Sequence, residues 1–211
     1  MNPLLPEQLA ARLTQPLCGP AVGSRFEPTP RLGRCYDSAP ADARKAAVLV
    51  LLYPHRNRWH LPLTLRPAHL PDHAGQISLP GGAIEPGETD REAALREFHE
   101  ELGAAGQPVD MLGRLSTLYV HASHFRIEPW VGVARQRPAM VPNVAEVAAL
   151  LEVPLGHLLD PIHFGCHERW YQDQPYTAPH FLWEEHKIWG ATCMILGELV
   201  MLIEESGIAA D

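Results

Sequence analysis

One segment bounded by glycines constrains the fold of this chain more than any other feature. From Gly82 to Gly103 it reads GAIEPGETDREAALREFHEELG, a turn rich in glycine and proline followed by a helical pattern. Thr89 with Glu92 three residues later is a capping-box pattern, and Gly103 stands where a left-handed helix C-terminus is expected. We therefore expect a helix between Thr89 and Gly103. The turn before it allows the backbone to approach a phosphate or a metal without an intervening side chain.

The predicted helix has two different faces. Its apolar residues recur at helical spacing and should pack against a core: Ala94, Leu95, Phe98 and Leu102. Glu97, Glu100 and Glu101 lie three and four residues apart, which places them side by side on a helix. Crowded carboxylates repel one another, and a site with only oxygen ligands suits Mg²⁺ or Mn²⁺ better than zinc. The alternative is an acidic helix face that is merely solvated.

The whole pattern resembles a known motif, the Nudix box. The positions that carry the resemblance are Gly82, Glu88, Arg96, Glu97, Phe98, Glu100, Glu101 and Gly103. The resemblance implies a hydrolase of a nucleoside diphosphate linked to another moiety, with a mixed β-sheet between α-helices. It implies metal ligation by Glu97 and Glu101 with help from Glu100. It also implies an ion pair between Arg96 and Glu88 that braces the turn against the helix, with direct chemistry by these two residues as the alternative.

A second resemblance lies just upstream. Residues 63–82, LTLRPAHLPDHAGQISLPGG, are similar to the segment that precedes the box in the coenzyme A pyrophosphatase branch of the family. The substrate contacts that this resemblance implies are Arg66, His73, Gln76 and Gly82. Gln76 alternatively satisfies backbone groups within its own loop. Lys187–Leu199 also resembles the last strand and helix of that branch.

Three positions of the upstream segment depart from the branch pattern: Pro67, Pro71 and Leu79. The branch usually has a basic residue at position 71, so one positive charge near a polyanionic ligand is missing here. Coenzyme A or an acyl-coenzyme A remains the expected substrate, with 3′,5′-ADP and 4′-phosphopantetheine as products. ADP-ribose or a dinucleotide is the alternative, and a Nudix-fold module that binds nucleotides without turnover is the alternative from another class.

Hydrolysis of a diphosphate requires cations on its oxygens and an activated water. We expect the glutamates to hold two or three Mg²⁺ or Mn²⁺ ions and a carboxylate to take the proton from water. The candidates for this base are Glu100 and Glu146. Glu146 precedes the apolar run VAALLEV, and its alternative role is a residue of a loop surface.

Periodicity predicts the remaining elements. Helices are expected at residues 4–13, 154–159 and 190–205, the last with a core stripe of Cys193, Leu196, Leu199, Val200 and Ile203. Strands are expected at 46–53, 59–66, 109–119, 126–134 and 146–153, and a hairpin at 167–183 with its turn near 173–175. The expected class is α/β (α+β), a mixed sheet sandwiched between helices.

Length and charge set the broader expectations. A chain of 211 residues is expected to form one Nudix hydrolase domain, with an N-terminal extension at 1–43 and a catalytic core at 44–205. A net charge of −8 argues against nucleic-acid and anionic-membrane partners, which require clustered cations. Four scattered cysteines without a CxxC pattern suggest free thiols in the cytoplasm. The expected partner is a small nucleotide substrate, and homodimer formation is left open.

Overall fold

The computed structural model describes residues 1–17, 25–30, 39–70, 74–104 and 106–210. Its helices are α1 (Leu5–Leu13), α2 (Asp90–Leu102), α3 (Leu155–Leu159) and α4 (Ala191–Ser206), with a 3₁₀ turn at Pro161–His163. The strands before and within the box are β1 (Arg44–His55), β2 (Arg58–Leu65), β3 (Ile77–Ser78) and β4 (Gly81–Ala83). Those after it are β5 (Asp110–Arg114), β6 (Leu118–Val120), β7 (Phe125–Val133), β8 (Ala149–Pro154), β9 (Phe164–Tyr171), β10 (Gln174–Trp183) and β11 (His186–Trp189).

Among the described residues, eight strands form one mixed sheet. Its main path runs β3-β2-β1-β7-β5, while β4 pairs with β1, β6 with β7 and β8 with β2. The central pair β1 and β7 is parallel, with Val48 opposite Pro129, and the other pairings in this sheet are antiparallel. Strands β9, β10 and β11 form a separate antiparallel sheet.

Strand β1 is buried on both faces, as its continuous apolar run predicts. One face, including Leu49 and Tyr53, packs against α2. The other, including Val50 and Leu52, packs in a core that also contains residues of α1, α3 and α4. Helices therefore cover both sides of the sheet, which confirms the predicted mixed sheet between helices.

Helix α4 is buried more completely than its predicted stripe requires. The five residues of that stripe are all buried, but Met194, Ile195 and Glu198 on other sides of the helix are buried as well. Glu198 accepts hydrogen bonds from the backbone N–H and the hydroxyl of Ser116, in the segment between β5 and β6. The helix thus also binds the segment between β5 and β6.

Two predicted strands differ most from those in the structure, while the other three agree to within two residues at each end. The run at 109–119 is split into β5 and β6, because Pro129 of β7 has no N–H to give to the strand beside it and Ser116 donates to Glu198 instead. The run at 146–153 begins as a turn, since the N–H groups of Glu146 and Val147 both donate to the carbonyl oxygen of Asn143. The N–H of Ala148 donates to the carbonyl of Leu65 at 2.8 Å, and the register with β2 begins at Ala149.

The predicted hairpin is longer at its start, and its turn lies one residue earlier. Gln172 and Asp173 form a two-residue loop, and both have positive φ, 46° and 62°. That geometry suits a type I′ hairpin, so Pro175 falls inside β10 rather than in the turn. Across the described part of the chain, no helix is both long enough and apolar enough to cross a membrane.

Candidate active site

The box helix α2 is fixed by local hydrogen bonds at both ends. The Thr89 hydroxyl accepts from the backbone N–H of Glu92, and the Glu92 carboxylate accepts from the backbone N–H of Thr89 at 2.9 Å. At the other end Gly103 has φ +62°, and its N–H donates to the carbonyl of His99. The predicted capping box and glycine cap are both confirmed. They fix the residues at which the helix that carries the glutamates begins and ends.

Gly82 lies directly beside a carboxylate of the box. It pairs with Ala47 of β1 through the short strand β4, and the Glu97 carboxylate lies directly against it. A Cβ at position 82 would collide with both carboxylate oxygens of Glu97. The absent side chain therefore lets a box carboxylate lie against the strand backbone.

Arg96 ties the turn to the helix. Its Nε donates to Glu88 at 2.8 Å and its Nη2 to the other oxygen of Glu88 at 3.1 Å, a bidentate pair. Nη2 also donates to the carbonyl of Ala83 at 3.0 Å. The pair implied by the resemblance is therefore present. These hydrogen bonds raise the pKa of Arg96 further above its ordinary value and lower the pKa of Glu88.

The same guanidinium also contacts two of the candidate metal ligands. Nη1 of Arg96 donates to Glu97 and to Glu100, each at 2.9 Å. Glu97 is mostly buried, whereas the Glu100 side chain is 55% exposed. Of the three glutamates, Glu100 therefore lies on the solvent side and is held by Arg96. The sequence patterns had placed Arg96 with Glu88 alone.

Glu101 is the most deeply buried carboxylate of the box. It is 7% exposed, and its Oε2 has no hydrogen-bond partner among the described residues. Burial, with the nearby charges of Glu97 and Glu146, raises the pKa of Glu101 to about 8, although the Arg66 guanidinium opposes that rise. Burial also raises the pKa of Glu97. Burial therefore disfavours the charged form of both carboxylates, and a bound cation would favour that form.

Glu146 reaches these carboxylates through a loop that docks on the C-terminus of α2. The N–H of Asn143 donates to the carbonyl of Glu101 at 2.8 Å, and the N–H of Val141 to the carbonyl of Leu102 at 2.7 Å. The side chain of Asn143 then donates to Glu146 at 3.1 Å and accepts from the N–H of Ala145. Glu146 is exposed but lies within electrostatic range of Glu97 and Glu101.

Asn143 is the residue of this site that the sequence reasoning missed. Its signal is local: asparagine after Pro142 commonly forms a turn in which the side chain bonds the backbone two residues on. Nothing in that signal says that the turn lies beside α2. Its position depends on the tertiary structure.

Backbone hydrogen bonds join the two ends of a loop in the upstream segment. The N–H of Arg66 donates to the carbonyl of Gln76 at 2.9 Å, and the N–H of Gly75 to the carbonyl of Arg66 at 3.1 Å. The charge of Arg66 acts on Glu101, so this end of β2 lies near the box carboxylates. His73 and Pro71 lie outside the described residues.

The carboxylates fit a hard divalent cation by their chemistry. Every donor is an oxygen, and the buried Oε2 of Glu101 has no partner of its own. The ligand atoms of the box carboxylates do not surround one point. Among the described residues, a single group of three His, Cys, Asp or Glu side chains has its ligand atoms within 4.8 Å of one another. That group consists of Glu184, Glu185 and His186. Those residues lie at the turn between β10 and β11. In the box, the guanidinium of Arg96 holds Glu97 and Glu100.

Comparison with known proteins agrees with this geometry. The family model described as NUDIX domain matches residues 43–173. Nudix hydrolase 3 of Caenorhabditis elegans is 34% identical over 152 residues, which are 70% of this chain and 62% of that protein. The chain thus spans less than two thirds of the worm protein. The uncharacterized Nudix hydrolase NudL of Cronobacter sakazakii is 36% identical over 177 residues, covering 77% of this chain and 84% of that protein.

Among solved structures, the crystal structure of a Nudix hydrolase from M. Smegmatis, RenU, aligns with 55% of this chain and 73% of its own. The TM-score is 0.44 and the identity 24%. Two findings identify the family. The family model matches more than half of this chain, and the chain covers 84% of the NudL protein of Cronobacter sakazakii. The chain belongs to the Nudix hydrolase family, whose members cleave pyrophosphate bonds.

Proposed function

We propose that this Nudix hydrolase cleaves the diphosphate of coenzyme A or of an acyl-coenzyme A. The observation that carries the proposal is the segment 63–82, which keeps the spacing of the coenzyme A branch and ends beside the box glutamates. Water adds to one phosphorus, the bridging P–O bond breaks, and the products are 3′,5′-ADP and (acyl-)4′-phosphopantetheine. The bridging oxygen leaves on one product, and the water oxygen stays on the other.

The residues proposed to hold Mg²⁺ or Mn²⁺ are Glu97 and Glu101, with Glu100 in support. When bound, such ions neutralise the diphosphate charge and make water more acidic. Arg96 donates to both Glu97 and Glu100, so it orients these two carboxylates. Its pair with Glu88 keeps the turn in place.

For the base we propose Glu146 first and Glu100 second. Glu146 comes from a separate loop and faces Glu97 and Glu101, while Asn143 binds one of its oxygens. One oxygen of Glu100 accepts from Arg96, which leaves it less available to take a proton. In either case the proton of the attacking water passes to the carboxylate.

Substrate contacts are proposed for four residues of the upstream segment. Arg66 lies near Glu101, where a guanidinium can bind a phosphate oxygen of a metal-bound diphosphate. The carbonyl of Gln76 accepts one of the backbone hydrogen bonds that join the ends of this loop. Gly82 presents its backbone without a side chain. His73 keeps its proposed role as a phosphate donor from the sequence pattern.

The setting of the enzyme also remains a proposal. We propose one catalytic domain with an N-terminal extension, acting in the cytoplasm on a small nucleotide. The thiol of Cys166 is free, Cys193 is buried in α4, and Cys18 and Cys35 lie outside the described residues. Free thiols are typical of a reducing compartment.

The deciding experiment offers the protein a panel of substrates with Mg²⁺ or Mn²⁺ and measures product masses. The panel contains coenzyme A, acetyl-coenzyme A, dephospho-coenzyme A, ADP-ribose, NADH and a deoxynucleoside triphosphate. We expect the highest kcat/KM for a coenzyme A, with 3′,5′-ADP as product. Glu97→Gln prepared in parallel controls for a contaminating hydrolase.

Other outcomes would replace this proposal. A preference for ADP-ribose or NADH would assign the alternative substrate class, which the missing basic residue at Pro71 favours. Binding of these nucleotides without any turnover would indicate a non-catalytic module. We rank the non-catalytic module last because the box retains its carboxylates.

A further inference from the structure

An ion pair joins the two ends of the segment that contains Asn143 and Glu146. Arg137 lies at the start of this segment, and Glu152 lies in β8, fifteen positions later. Nε of Arg137 donates to one oxygen of Glu152 at 2.7 Å and Nη2 donates to the other at 2.8 Å, a bidentate pair. Residues 138–148, which lie between Arg137 and β8, are called the Glu146 loop below.

A buried tyrosine fixes the position of Glu152. Side chains alternate along β8, and Leu151 and Val153 pack in the core that contains α4, so Glu152 points to the face that α2 covers. There the hydroxyl of Tyr53 donates at 2.8 Å to the same Glu152 oxygen that accepts from Nε of Arg137. Tyr53 belongs to β1 and is fully buried. We call Tyr53, Arg137 and Glu152 the anchor, since together they attach the loop to the centre of the sheet.

The charges within the anchor favour this arrangement. Hydrogen bonds, first from Arg137 and then from Tyr53, lower the pKa of Glu152 although burial opposes them. Burial and the charge of Glu152 raise the pKa of Tyr53, so its hydroxyl remains a donor. The side chains of Arg137 and Glu152 are 38% and 24% exposed. Because the pair is bidentate, partly shielded from water and supported by a third group, it differs from an ordinary surface ion pair.

The course of the Glu146 loop depends on its attachments. Residues 138–148 lie outside every helix and strand. Met140 packs against the core on the α2 side, which contains Phe98. The N–H groups of Val141 and Asn143 donate to the last carbonyls of α2, and the side chain of Asn143 donates to Glu146. The anchor lies at the start of this series of contacts, so its loss would free the loop from the sheet before it reaches α2.

We propose that the anchor positions Glu146 for catalysis by holding the loop that contains it. Tyr53, Arg137 and Glu152 act through the backbone of the Glu146 loop and are therefore positioning residues. A general base must stay within hydrogen-bond reach of the water that it deprotonates, and a displacement of about 1 Å lowers rates strongly. The assignment to catalysis rests on the role proposed above for Glu146, whereas the attachment of the loop by the anchor does not.

The first experiment measures the loop without metal or substrate. Hydrogen exchange of the metal-free protein is followed by mass spectrometry in peptides from the Glu146 loop, from the start of α2 and from β1. In Arg137→Gln and in Glu152→Gln we expect exchange in the loop to rise by roughly 10-fold. This is the lower end of the effect of a lost charge-assisted hydrogen bond, because the pair is partly exposed. The other two peptides should keep wild-type exchange, whereas a general loss of stability would raise all three.

Further variants test the geometry of the anchor. Arg137→Lys keeps the charge without the fork and should restore part of the protection from exchange. Tyr53→Phe keeps the buried ring and removes the donor to Glu152, and it should raise exchange in the loop less than Arg137→Gln does. The double variant of Arg137→Gln with Glu152→Gln should exchange no faster than either single variant, because each single change already breaks the pair.

The second experiment measures whether the anchor acts through Glu146. With the best substrate of the panel above and saturating Mn²⁺, Arg137→Gln should lower kcat by roughly 10-fold with little change in KM. In a Glu146→Gln background the same change should have no further effect on kcat, because the group to be positioned is gone. A residue that merely stabilised the fold would lower kcat equally in both backgrounds.

The matched control is Arg135→Gln. Arg135 lies two residues before Arg137 on the same link after β7, and its side chain is 88% exposed. Its ion pair with Asp110 is a single contact at 3.4 Å. The change therefore removes the same charge without breaking a bidentate pair. It should leave exchange in the Glu146 loop and kcat at their wild-type values.

The outcomes separate the anchor from the proposed function. Wild-type exchange in the loop of both Arg137→Gln and Glu152→Gln would overturn the anchor. Raised exchange with wild-type kcat, or an equal loss of kcat in both backgrounds, would overturn its role in positioning Glu146. If Glu146→Gln itself keeps wild-type kcat, or if no substrate of the panel is cleaved, the proposed function fails in that part, and hydrogen exchange still decides whether the anchor holds the loop.

Discussion

At the scale of single residues, the active site depends on a contrast between Glu97 and Glu101. Glu97 lies against the backbone of Gly82 and accepts from Arg96, so its charge is partly compensated. Glu101 is buried with one oxygen unpaired and a raised pKa. A buried carboxylate oxygen without a partner destabilises the folded protein, and a bound cation would remove this cost. We therefore expect Glu97 and Glu101 to differ in their proposed role as metal ligands.

We predict that Glu97→Gln and Glu101→Gln each lower turnover by more than about 100-fold, beyond the usual effect of mutating an outer-shell partner of a metal ligand. Each change keeps the shape and removes a charged oxygen. The measurements are kcat with saturating Mn²⁺ and the unfolding temperature without metal. Glu101→Gln should not lower that temperature, because burial already disfavours the charged form of Glu101 and glutamine keeps the shape of the neutral side chain.

Glu168→Gln is the matched control for charge, since Glu168 is an exposed carboxylate of β9. It should retain wild-type turnover. Full activity of either box variant, or of the wild-type protein in excess EDTA, would contradict the metal assignment.

Arg96 is predicted to support both structure and activity. Arg96→Lys keeps the charge but cannot reproduce the bidentate pair with Glu88 together with the bonds to Glu97 and Ala83. We expect a loss of about 1–3 kcal/mol in the free energy of unfolding, with a fall in kcat. Urea unfolding and initial rates test this. A fall in substrate affinity alone, at unchanged stability, would instead place Arg96 on the substrate.

At the scale of elements, the site joins three pieces of chain that local patterns do not connect. Helix α2 supplies the box glutamates, β4 supplies the glycine backbone, and the loop before β8 supplies Glu146. The bonds from Asn143 and Val141 to the last carbonyls of α2 hold that loop. These carbonyls lack partners within the helix, so docking the loop satisfies both elements at once.

Asn143 is predicted to position Glu146. Asn143→Ala removes the bond to the Glu146 carboxylate and the turn within the loop, but keeps the backbone bond to Glu101. We expect kcat to fall by about 10- to 100-fold, with a smaller change in KM. Steady-state kinetics with saturating Mn²⁺ measure both parameters.

Asn143→Asp separates the two bonds of this side chain. Aspartate restores the acceptor for Ala145 but not the donor to Glu146, so stability should recover while kcat stays low. Wild-type kcat in this variant would show that the donor is unnecessary.

At the scale of the whole molecule, helix α4 connects the core of the sheet to the loop between β5 and β6 through a single buried carboxylate. Glu198 is 4% exposed and binds Ser116, and burial raises its pKa despite these hydrogen bonds. A buried acid of this kind holds its proton in the folded state to higher pH than in the unfolded state. Folding is therefore linked to pH through a residue far from the active site in sequence.

The sign of this linkage gives a prediction. Between 4.5, its ordinary pKa, and its raised folded value, Glu198 binds more protons folded than unfolded. Its contribution to the free energy of unfolding is thus complete below 4.5 and lost as the pH rises toward the folded pKa. The free energy of unfolding of Glu198→Gln minus that of the wild type should therefore be larger at pH 8 than at pH 5. Urea unfolding at both values tests this, and an equal difference between the two proteins at both would refute it. Comparing variant with wild type cancels the parallel effect of Glu101.

The sequence by itself determined the parts of this protein that depend on close neighbours along the chain. Thr89, Glu92 and Gly103 set the ends of α2 through bonds that reach no more than four residues, and the apolar run of β1 required burial on both faces. The box residues identified the family for the same reason, since their spacing lies within 22 positions from Gly82 to Gly103. The fold class followed from this motif together with the order of apolar runs.

Tertiary structure alone decided which distant residues meet. Strands β3, β4 and β11 are too short to be identified by periodicity, and β1 pairs in parallel with β7, about eighty residues later. The turn at Asn143, the docking of Glu146 beside α2 and the bond from Tyr53 to Glu152 depend on such long-range pairings. The physical reason is that capping and periodicity act within a turn or two of chain. The burial that raises the pKa of Glu101, and the charges that face it, come from segments that only folding brings together.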